Sequence, residues 1–209
     1  FEVKKEELDW SAMDPAAFAE LDRAFGDGNR LIVDPNALER RFTIPERNRA
    51  IVREFREVMR NGYTDRNGML RKPVPGKTVV FAVSKQHAET LARLFDDAFA
   101  DEKPHPSVRY ADYVVSETGA DDTTDGASKI KRFKKELFPQ ILVSVNMLDT
   151  GFDFPGLLNV EFARYTRSAI LYRQMRGRGS RKAPNKQSFT MFDFVGVTDM
   201  HEENDDLIE

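Results

Sequence analysis

Short β-branched runs alternate with amphipathic helical segments from residue 77 to about residue 195, and this alternation constrains the fold more than any other feature. The runs predicted to be strands are TVVFAV, VRYADYVVS, QILVSV, LLNVEFA and SFTMFDFV. The helical patterns between them cover about residues 85–100, 127–137 and 168–176. Strands that alternate with helices predict an α/β fold with a parallel sheet, helices on both faces and right-handed crossovers.

Residues 1–74 are highly charged and lack this alternation. One helix is well supported there, in TIPERNRAIVREFREVMRNG, and Gly62 provides its stop signal. We therefore predict a small helical or irregular appendage over residues 1–74 and the α/β domain over residues 75–197. Residues 198–209 are predicted to be an acidic tail or the start of a following domain. The first residue is Phe rather than Met, which favours a piece cut from a longer protein.

The tripeptide Gly76-Lys77-Thr78 has the residues that end a phosphate-binding loop, but the surrounding sequence does not support such a loop. The loop needs a glycine five positions earlier, where this chain has Arg71, and a helix that begins at the lysine. Pro73 and Pro75 also remove two of the backbone amides that would surround a phosphate. A β-branched and aromatic run follows instead, so the tripeptide is predicted to lead into a strand.

Charge is unevenly distributed along the chain. The formal net charge is -3 at pH 7, yet no acidic residue occurs between Phe162 and Phe192. Eight basic residues lie in that stretch: Arg164, Arg167, Arg173, Arg176, Arg178, Arg181, Lys182 and Lys186. Cations without balancing acids favour a polyanionic partner. A second basic run, SKIKRFKK, is as consistent with a solvated face as with phosphate contact.

Composition excludes several classes of protein. The chain has no cysteine, which rules out disulfides, zinc fingers and thiol catalysis, and we predict no metal site in it. No apolar run is long enough for a transmembrane helix, and no stretch resembles a signal peptide. We therefore expect a soluble, cytoplasmic protein without a membrane partner.

Ligands of parallel α/β sheets bind beyond the carboxyl ends of the strands, so the segments that follow the strands are candidates for a site. After ILVSV, Gly151 permits a tight turn and Asp153 presents a carboxylate. Further along, Arg178 and Arg181 lie three residues apart in a helical turn or at its exit. Two guanidinium groups held together repel each other unless an anion lies between them, and a triphosphate is such an anion.

The same segments carry motifs of a known family. VVFAVSKQHAETLA resembles motif IV of superfamily 2 helicases, ILVSVNMLDTGFDFP resembles motif V, and QMRGRGSR resembles motif VI, written Q-x-x-G-R-x-x-R. The resemblance covers about residues 77–195 and implies the second RecA-like domain of such motors. Within the superfamily, ARYTRSAILYRQMRGRGSR and FDFVGVTD look most like the motor subunit of type I restriction-modification enzymes. One departure is Arg176, where a small apolar residue is expected.

The resemblance implies a role for the motif residues. Arg178 and Arg181 would be arginine fingers that reach across a cleft to ATP and neutralise charge on the transferring phosphoryl group. The residues implied to help bind or position the nucleotide are Gly151, Asp153 and Gln174. Those implied to lie along the nucleic-acid backbone are Val83, Ser84, Ser144 and Val145.

The resemblance also implies ligands and partners. ATP and Mg2+ would be held mainly by a first RecA-like domain of the same polypeptide, which this chain does not contain, so the isolated chain is expected to show no ATP turnover. The other implied partners are double-stranded DNA and the modification and specificity subunits of a type I enzyme. The implied function is half of an ATP-dependent DNA translocase from a type I restriction endonuclease. Two alternatives remain: the second motor domain of a superfamily 2 repair or RNA helicase, and a non-catalytic nucleic-acid-binding module of the same fold.

Overall fold

The computed structural model describes residues 2–7, 19, 22–23, 25–32, 44–65, 67–115, 123–148, 152–199 and 201. The strands are β1 (Glu2–Lys4), β2 (Arg30–Ile32), β3 (Tyr63–Thr64), β4 (Leu70–Arg71), β5 (Thr78–Phe81), β6 (Ala111–Val115), β7 (Ile141–Val145), β8 (Asn159–Phe162) and β9 (Thr190–Asp193). The α-helices are α1 (Pro45–Asn61), α2 (Lys85–Ala98), α3 (Thr123–Lys135) and α4 (Ala169–Gly179). Among the described residues, no helix combines the length and the apolar character needed to cross a membrane.

Five strands form one parallel sheet in the order β6-β7-β5-β8-β9, which confirms the predicted parallel α/β fold. The central strand is β5, whose Phe81 lies in register with Ser144 of β7 on one side and Phe162 of β8 on the other. From β5 the chain crosses to the edge strand β6 and returns to β7 beside β5, and it then continues to the opposite edge through β8 and β9. The strand order therefore reverses at β5, where the carboxyl ends of three neighbouring strands meet.

Helices cover both faces of the sheet, as the alternation predicted. On one face, α2 packs against β6 and β7, and α1 packs against α2. On the other face, α3 contacts β6, and α4 contacts β8 and β9. Successive residues of β5 serve opposite cores, because Val80 packs in the cluster under α1 and α2 whereas Val79 and Phe81 pack in the cluster under α3 and α4. The sheet is therefore buried on both sides, as expected for parallel strands.

Helix α1 belongs to the core although it lies within the segment 1–74. The Phe55 ring meets the Phe95 ring edge to face at 5.3 Å between centroids and lies 4.7 Å from the Phe192 ring. Aromatic pairs in these geometries add to the stabilisation that apolar burial provides. The predicted stop at Gly62 is confirmed, because this glycine has φ 84° and its N–H donates a 2.8 Å hydrogen bond to the Val58 carbonyl.

Lys77 precedes β5, and its side chain caps the carboxyl end of helix α3. Its Nζ donates to the backbone carbonyls of Glu136 at 2.8 Å, Leu137 at 3.0 Å and Pro139 at 2.5 Å, which follow the last turn of α3. It also lies 4.8 Å from the centre of the Phe133 ring. The prediction that Gly76-Lys77-Thr78 leads into a strand is confirmed, since β5 begins at Thr78.

Candidate nucleotide site and nucleic-acid interface

The end of α4 packs against the loop that follows β7, and this contact brings the two predicted finger arginines to one place. Arg178 is buried, and its Nη1 donates a 2.8 Å hydrogen bond to the carbonyl oxygen of Phe152. Arg181 lies at the exit of the helix, where its Nη1 pairs with the carboxylate of Asp153. Adjacent residues of one loop therefore hold both guanidinium groups.

The helical period explains why these two arginines differ in burial. Tyr172 and Met175 form the inner face of α4 and are almost fully buried, and Arg178 continues that face three residues later. Arg181 lies beyond the last helical residue and is about one-third exposed at its side chain. One guanidinium therefore supports the loop from below, while the other lies at the surface, where a ligand can reach it.

The outer face of α4 is open. Ile170 is 71% exposed, Gln174 lies half-buried one turn later, and a Cβ placed on Gly177 would meet no atom within 4 Å. A glycine inside a helix costs about 1 kcal/mol relative to alanine, and the described packing gives no steric reason for it here. The described residues therefore leave open space beside Gly177 on this face. Arg176 is exposed on the helix, so the departure from a small apolar residue leaves the core packing intact.

The carboxylate of Asp153 lies at the surface, with 68% of its side chain exposed, directly after the buried Phe152. Gly151, predicted to shape the turn before it, lies outside the described residues. The pair formed by Asp153 and Arg181 is therefore solvent-accessible. A surface ion pair of this kind is worth only about 0–1 kcal/mol, so a competing anion can displace it.

Lys186 is a residue of this site that the sequence reasoning did not identify. Its Nζ donates to the carbonyl of Gly179 at 2.6 Å and to the carbonyl of Pro155 at 3.1 Å. It therefore joins the last residue of α4 to the loop after β7. Burial lowers the pKa of this ammonium group. The only sequence signal was its place in the acid-free basic stretch, and that signal indicated contact with a polyanion rather than with backbone carbonyls.

The segment Val83–Ser84, which follows β5, is partly accessible to solvent and lies next to a neutral histidine, His87. The Ser84 hydroxyl caps α2 by accepting the His87 N–H at 3.1 Å, and the Val83 N–H donates to His87 Nδ1 at 3.3 Å. Because Nδ1 accepts, Nε2 carries the proton and donates to Asn48 Oδ1 at 3.2 Å. Burial, together with the nearby Arg47 cation, lowers the pKa of His87 to about 3. Val83 and Ser84 are half-buried, and the serine hydroxyl retains its own proton as a donor.

The end of β7 is less accessible than the end of β5. Ser144 is almost fully buried, and its hydroxyl accepts the Leu148 N–H at 3.1 Å, while Val145 is also buried. The exposed residue here is Asn146, which has φ 61° and whose Oδ1 accepts a 2.6 Å hydrogen bond from Arg164 Nη1. This pair connects the carboxyl ends of β7 and β8, and no motif in the sequence analysis pointed to it.

The chain is similar to known proteins in sequence and in fold. The chain is 38% identical over 162 residues to the endonuclease subunit of the type I restriction enzyme EcoKI from Escherichia coli (strain K12), an alignment that covers 76% of this chain and 13% of that subunit. It is 28% identical, with a TM-score of 0.61, to a solved fragment designated an HsdR subunit of a type I restriction enzyme from Vibrio vulnificus YJ016, over 75% of this chain and 28% of that one. The chain thus spans a small part of the length of these relatives.

A more distant structure matches the fold. Domain 2 of the DEAD-box helicase Mss116p, solved bound to an RNA duplex, is 19% identical with a TM-score of 0.50, over 74% of this chain and 55% of that one. This likeness confirms the RecA-like architecture of the sheet and its helices. The predicted resemblance to superfamily 2 helicases, and within them to type I restriction subunits, is confirmed by these comparisons.

The family description "Helicase conserved C-terminal domain" matches residues 64–183. That match begins in the hairpin of β3 and β4, includes the whole parallel sheet except β9, and ends just after Arg181. It covers more than half of the 209 residues. The chain belongs to the helicase conserved C-terminal domain family.

Proposed function

We propose that this chain is the second motor domain of an ATP-dependent DNA translocase, in the motor subunit of a type I restriction enzyme. The observation that carries the proposal is the placement of Arg178 and Arg181 at the end of α4, both held by the loop after β7. Similarity to the EcoKI endonuclease subunit over 76% of this chain supports the choice of enzyme class.

In this proposal the two arginines supply positive charge to the phosphates of ATP. Arg181 exchanges the exposed carboxylate of Asp153 for a phosphate oxygen, whereas Arg178 keeps its hydrogen bond to Phe152 and supports the loop. Guanidinium groups suit this task because they are always charged and present a planar fork of donors. Arginine fingers contribute about 10³–10⁵ in turnover in other phosphoryl-transfer enzymes.

The remaining groups that bind the nucleotide and Mg2+ are proposed to belong to a first RecA-like domain of the same polypeptide. Lys77 supports this assignment, because its ammonium group is directed to three backbone carbonyls at the end of α3 rather than to an anion. This chain would complete the nucleotide-binding site with Gln174, on the open face of α4, and with the segment Gly151–Asp153. The open position at Gly177 supports a close approach of that first domain to α4.

Double-stranded DNA is the proposed polymer. Val83 and Ser84 lie at an accessible strand end and would contact phosphate oxygens, while the buried Ser144 and Val145 would act by shaping the end of β7. Phosphate contacts carry no base sequence information, which suits movement along DNA. The further partners in this proposal are the modification and specificity subunits of the same cytoplasmic enzyme.

The test is steady-state ATP hydrolysis by the full-length protein in the presence of duplex DNA. We expect Arg181→Ala to abolish DNA-stimulated turnover, and Arg181→Lys to restore little because an ammonium group cannot offer the planar fork. Lys77→Ala is the matched control, and it should retain turnover at temperatures where the variant is folded. Loss of activity in Lys77→Ala with full activity in Arg181→Ala would refute the proposal. The isolated chain should hydrolyse no ATP.

A further inference from the structure

Among the described residues, three side-chain links join the loop after β7 to the end of α4. Arg178 makes the first through the Phe152 carbonyl, and Arg181 makes the second through the Asp153 carboxylate. Lys186 makes the third, because its Nζ bridges the carbonyls of Gly179 and Pro155. The third of these links uses neither of the proposed fingers.

Packing fixes the ammonium group of Lys186 between its two acceptors. The carbonyl of Gly179 lies at the negative end of the α4 dipole, which favours a cation. The Phe189 ring lies 5.8 Å from Nζ and fills the space beside Gly179, where a Cβ would overlap the ring. The lysine thus occupies a defined position beside the ring rather than extending into solvent.

The three links respond differently when an anion arrives. A phosphate that attracts Arg181 removes the second link, so the loop is then held only by Arg178 among the two fingers. The bridge through Lys186 contains neither finger, so the displacement of Arg181 from Asp153 leaves its hydrogen bonds to the two carbonyls in place. We infer that Lys186 is a positioning residue that holds the end of α4, and with it both fingers, in register with the loop after β7 during phosphoryl transfer. The inference rests on the proposed function.

The first test compares Lys186→Met with Lys72→Met in the full-length protein with duplex DNA. Lys186→Met removes the donors but keeps an aliphatic stem over Phe189, whereas Lys72 is an exposed lysine outside the basic stretch around α4 and serves as the control. A misplacement of about 1 Å in a catalytic group costs up to about 10²-fold in rate. We therefore expect Lys186→Met to lower kcat about ten- to a hundredfold, with the KM for ATP within about threefold of wild type. Lys72→Met should match wild type.

Two further measurements separate positioning from a merely structural role. Affinity for ADP–aluminium fluoride, a transition-state analogue, should fall in Lys186→Met in proportion to kcat, while affinity for a non-hydrolysable ATP analogue stays unchanged. In an Arg181→Ala background, Lys186→Met should lower the affinity for ADP–aluminium fluoride less than it does in the wild-type background, because one of the two fingers through which it acts is already absent. Lys186→Arg, which keeps a cation with several donors, should recover most of kcat.

The outcomes separate the inference from the proposed function. Wild-type kcat in Lys186→Met, a rise in KM alone, or fully additive losses of ADP–aluminium fluoride affinity with Arg181→Ala would each overturn the inference. Full ATPase activity in Arg181→Ala would instead refute the proposed function. If Lys186→Met does not fold at the assay temperature, Lys186→Gln replaces it, since its amide can donate to one carbonyl. That variant must show the same loss of kcat at constant KM, or the inference is wrong.

Discussion

Arg178 lies beneath the loop that contains Phe152, and its Nη1 donates a 2.8 Å hydrogen bond to that residue's carbonyl oxygen while only 8% of the arginine is exposed. Arg181, three residues later, pairs with Asp153 at the surface. The two arginines of one motif therefore contribute differently to the stability of the folded domain, although both are proposed to act on the same anion.

We expect Arg178→Ala to lower thermal stability and Arg181→Ala to leave it nearly unchanged. A buried hydrogen bond from a charged group is worth about 1.5–3 kcal/mol, whereas an exposed ion pair is worth about 0–1 kcal/mol. For a chain of this size each kcal/mol shifts Tm by about 2–4 °C. Thermal unfolding of both variants followed by circular dichroism checks this, and equal shifts would contradict the different roles assigned to the two side chains.

The parallel sheet was predictable because its signal is local. The most deeply buried strands, β5 and β7, are apolar, β-branched runs, and α1 and α2 each carry an apolar face with a 3.6-residue period. The contribution of α1 to the core was not predictable in the same way. Phe55 has the correct periodicity for a buried position, but only the folded chain shows that its partners are Phe95 and Phe192, 40 or more residues away. Periodicity identifies which face of a helix is buried and gives no information on what covers it.

The motif residues at the candidate site were predictable, but several of their contacts were not. Spacing identified Arg178 and Arg181, yet the burial of one and the exposure of the other depend on where α4 ends. Lys186 and Asn146 had no distinguishing pattern, because a lysine that binds backbone carbonyls and an asparagine with positive φ look ordinary in a sequence. Such contacts are made across loops, where no period constrains the side chain.

DNA binding by this chain should be weak, non-specific and dependent on salt. The basic side chains on and around α4, together with the edge at Val83 and Ser84, offer contacts to phosphates rather than to bases. Each phosphate contact changes the slope of log affinity against log salt by about -0.9, and non-specific dissociation constants are about 10⁻⁴–10⁻⁶ M at physiological salt. Titration of duplex DNA of two unrelated sequences at two salt concentrations measures this. Affinity that does not change with salt, or that favours one sequence, would be the contrary result.

Lys77→Met should destabilise the fold without removing a catalytic group. The substitution leaves three carbonyls after α3 without their shared donor, and loss of hydrogen bonds from a charged group costs about 1.5–3 kcal/mol. Lys72→Met, at an exposed position a few residues earlier, is the control and should leave Tm unchanged. Urea unfolding of the two variants gives the comparison. Equal midpoints would show that the contacts of Lys77 contribute nothing to stability.

Glu161 is an acidic residue in the middle of the parallel sheet. It lies in register with Val80 of β5 and Phe192 of β9, and it is fully buried. Among the described residues, neither of its carboxyl oxygens has a hydrogen-bond partner. Burial raises the pKa of Glu161 well above its usual range, because the charged form cannot be solvated there.

We expect Glu161→Met to stabilise the protein increasingly as pH rises. Below the unfolded-state pKa of about 4.3 the carboxyl is protonated in both states, so wild type and variant should differ least there. Above that pH the unfolded chain ionises while the folded chain resists ionisation, so wild-type stability falls until pH passes the folded-state pKa. Replacing an unsatisfied buried polar group should recover about 1–3 kcal/mol at pH 8. Urea unfolding at pH 5 and pH 8 measures this difference, with the exposed Glu54→Met as control. A gain that is the same at both pH values, or a loss at pH 8, would show that the Glu161 carboxyl is compensated in the folded protein.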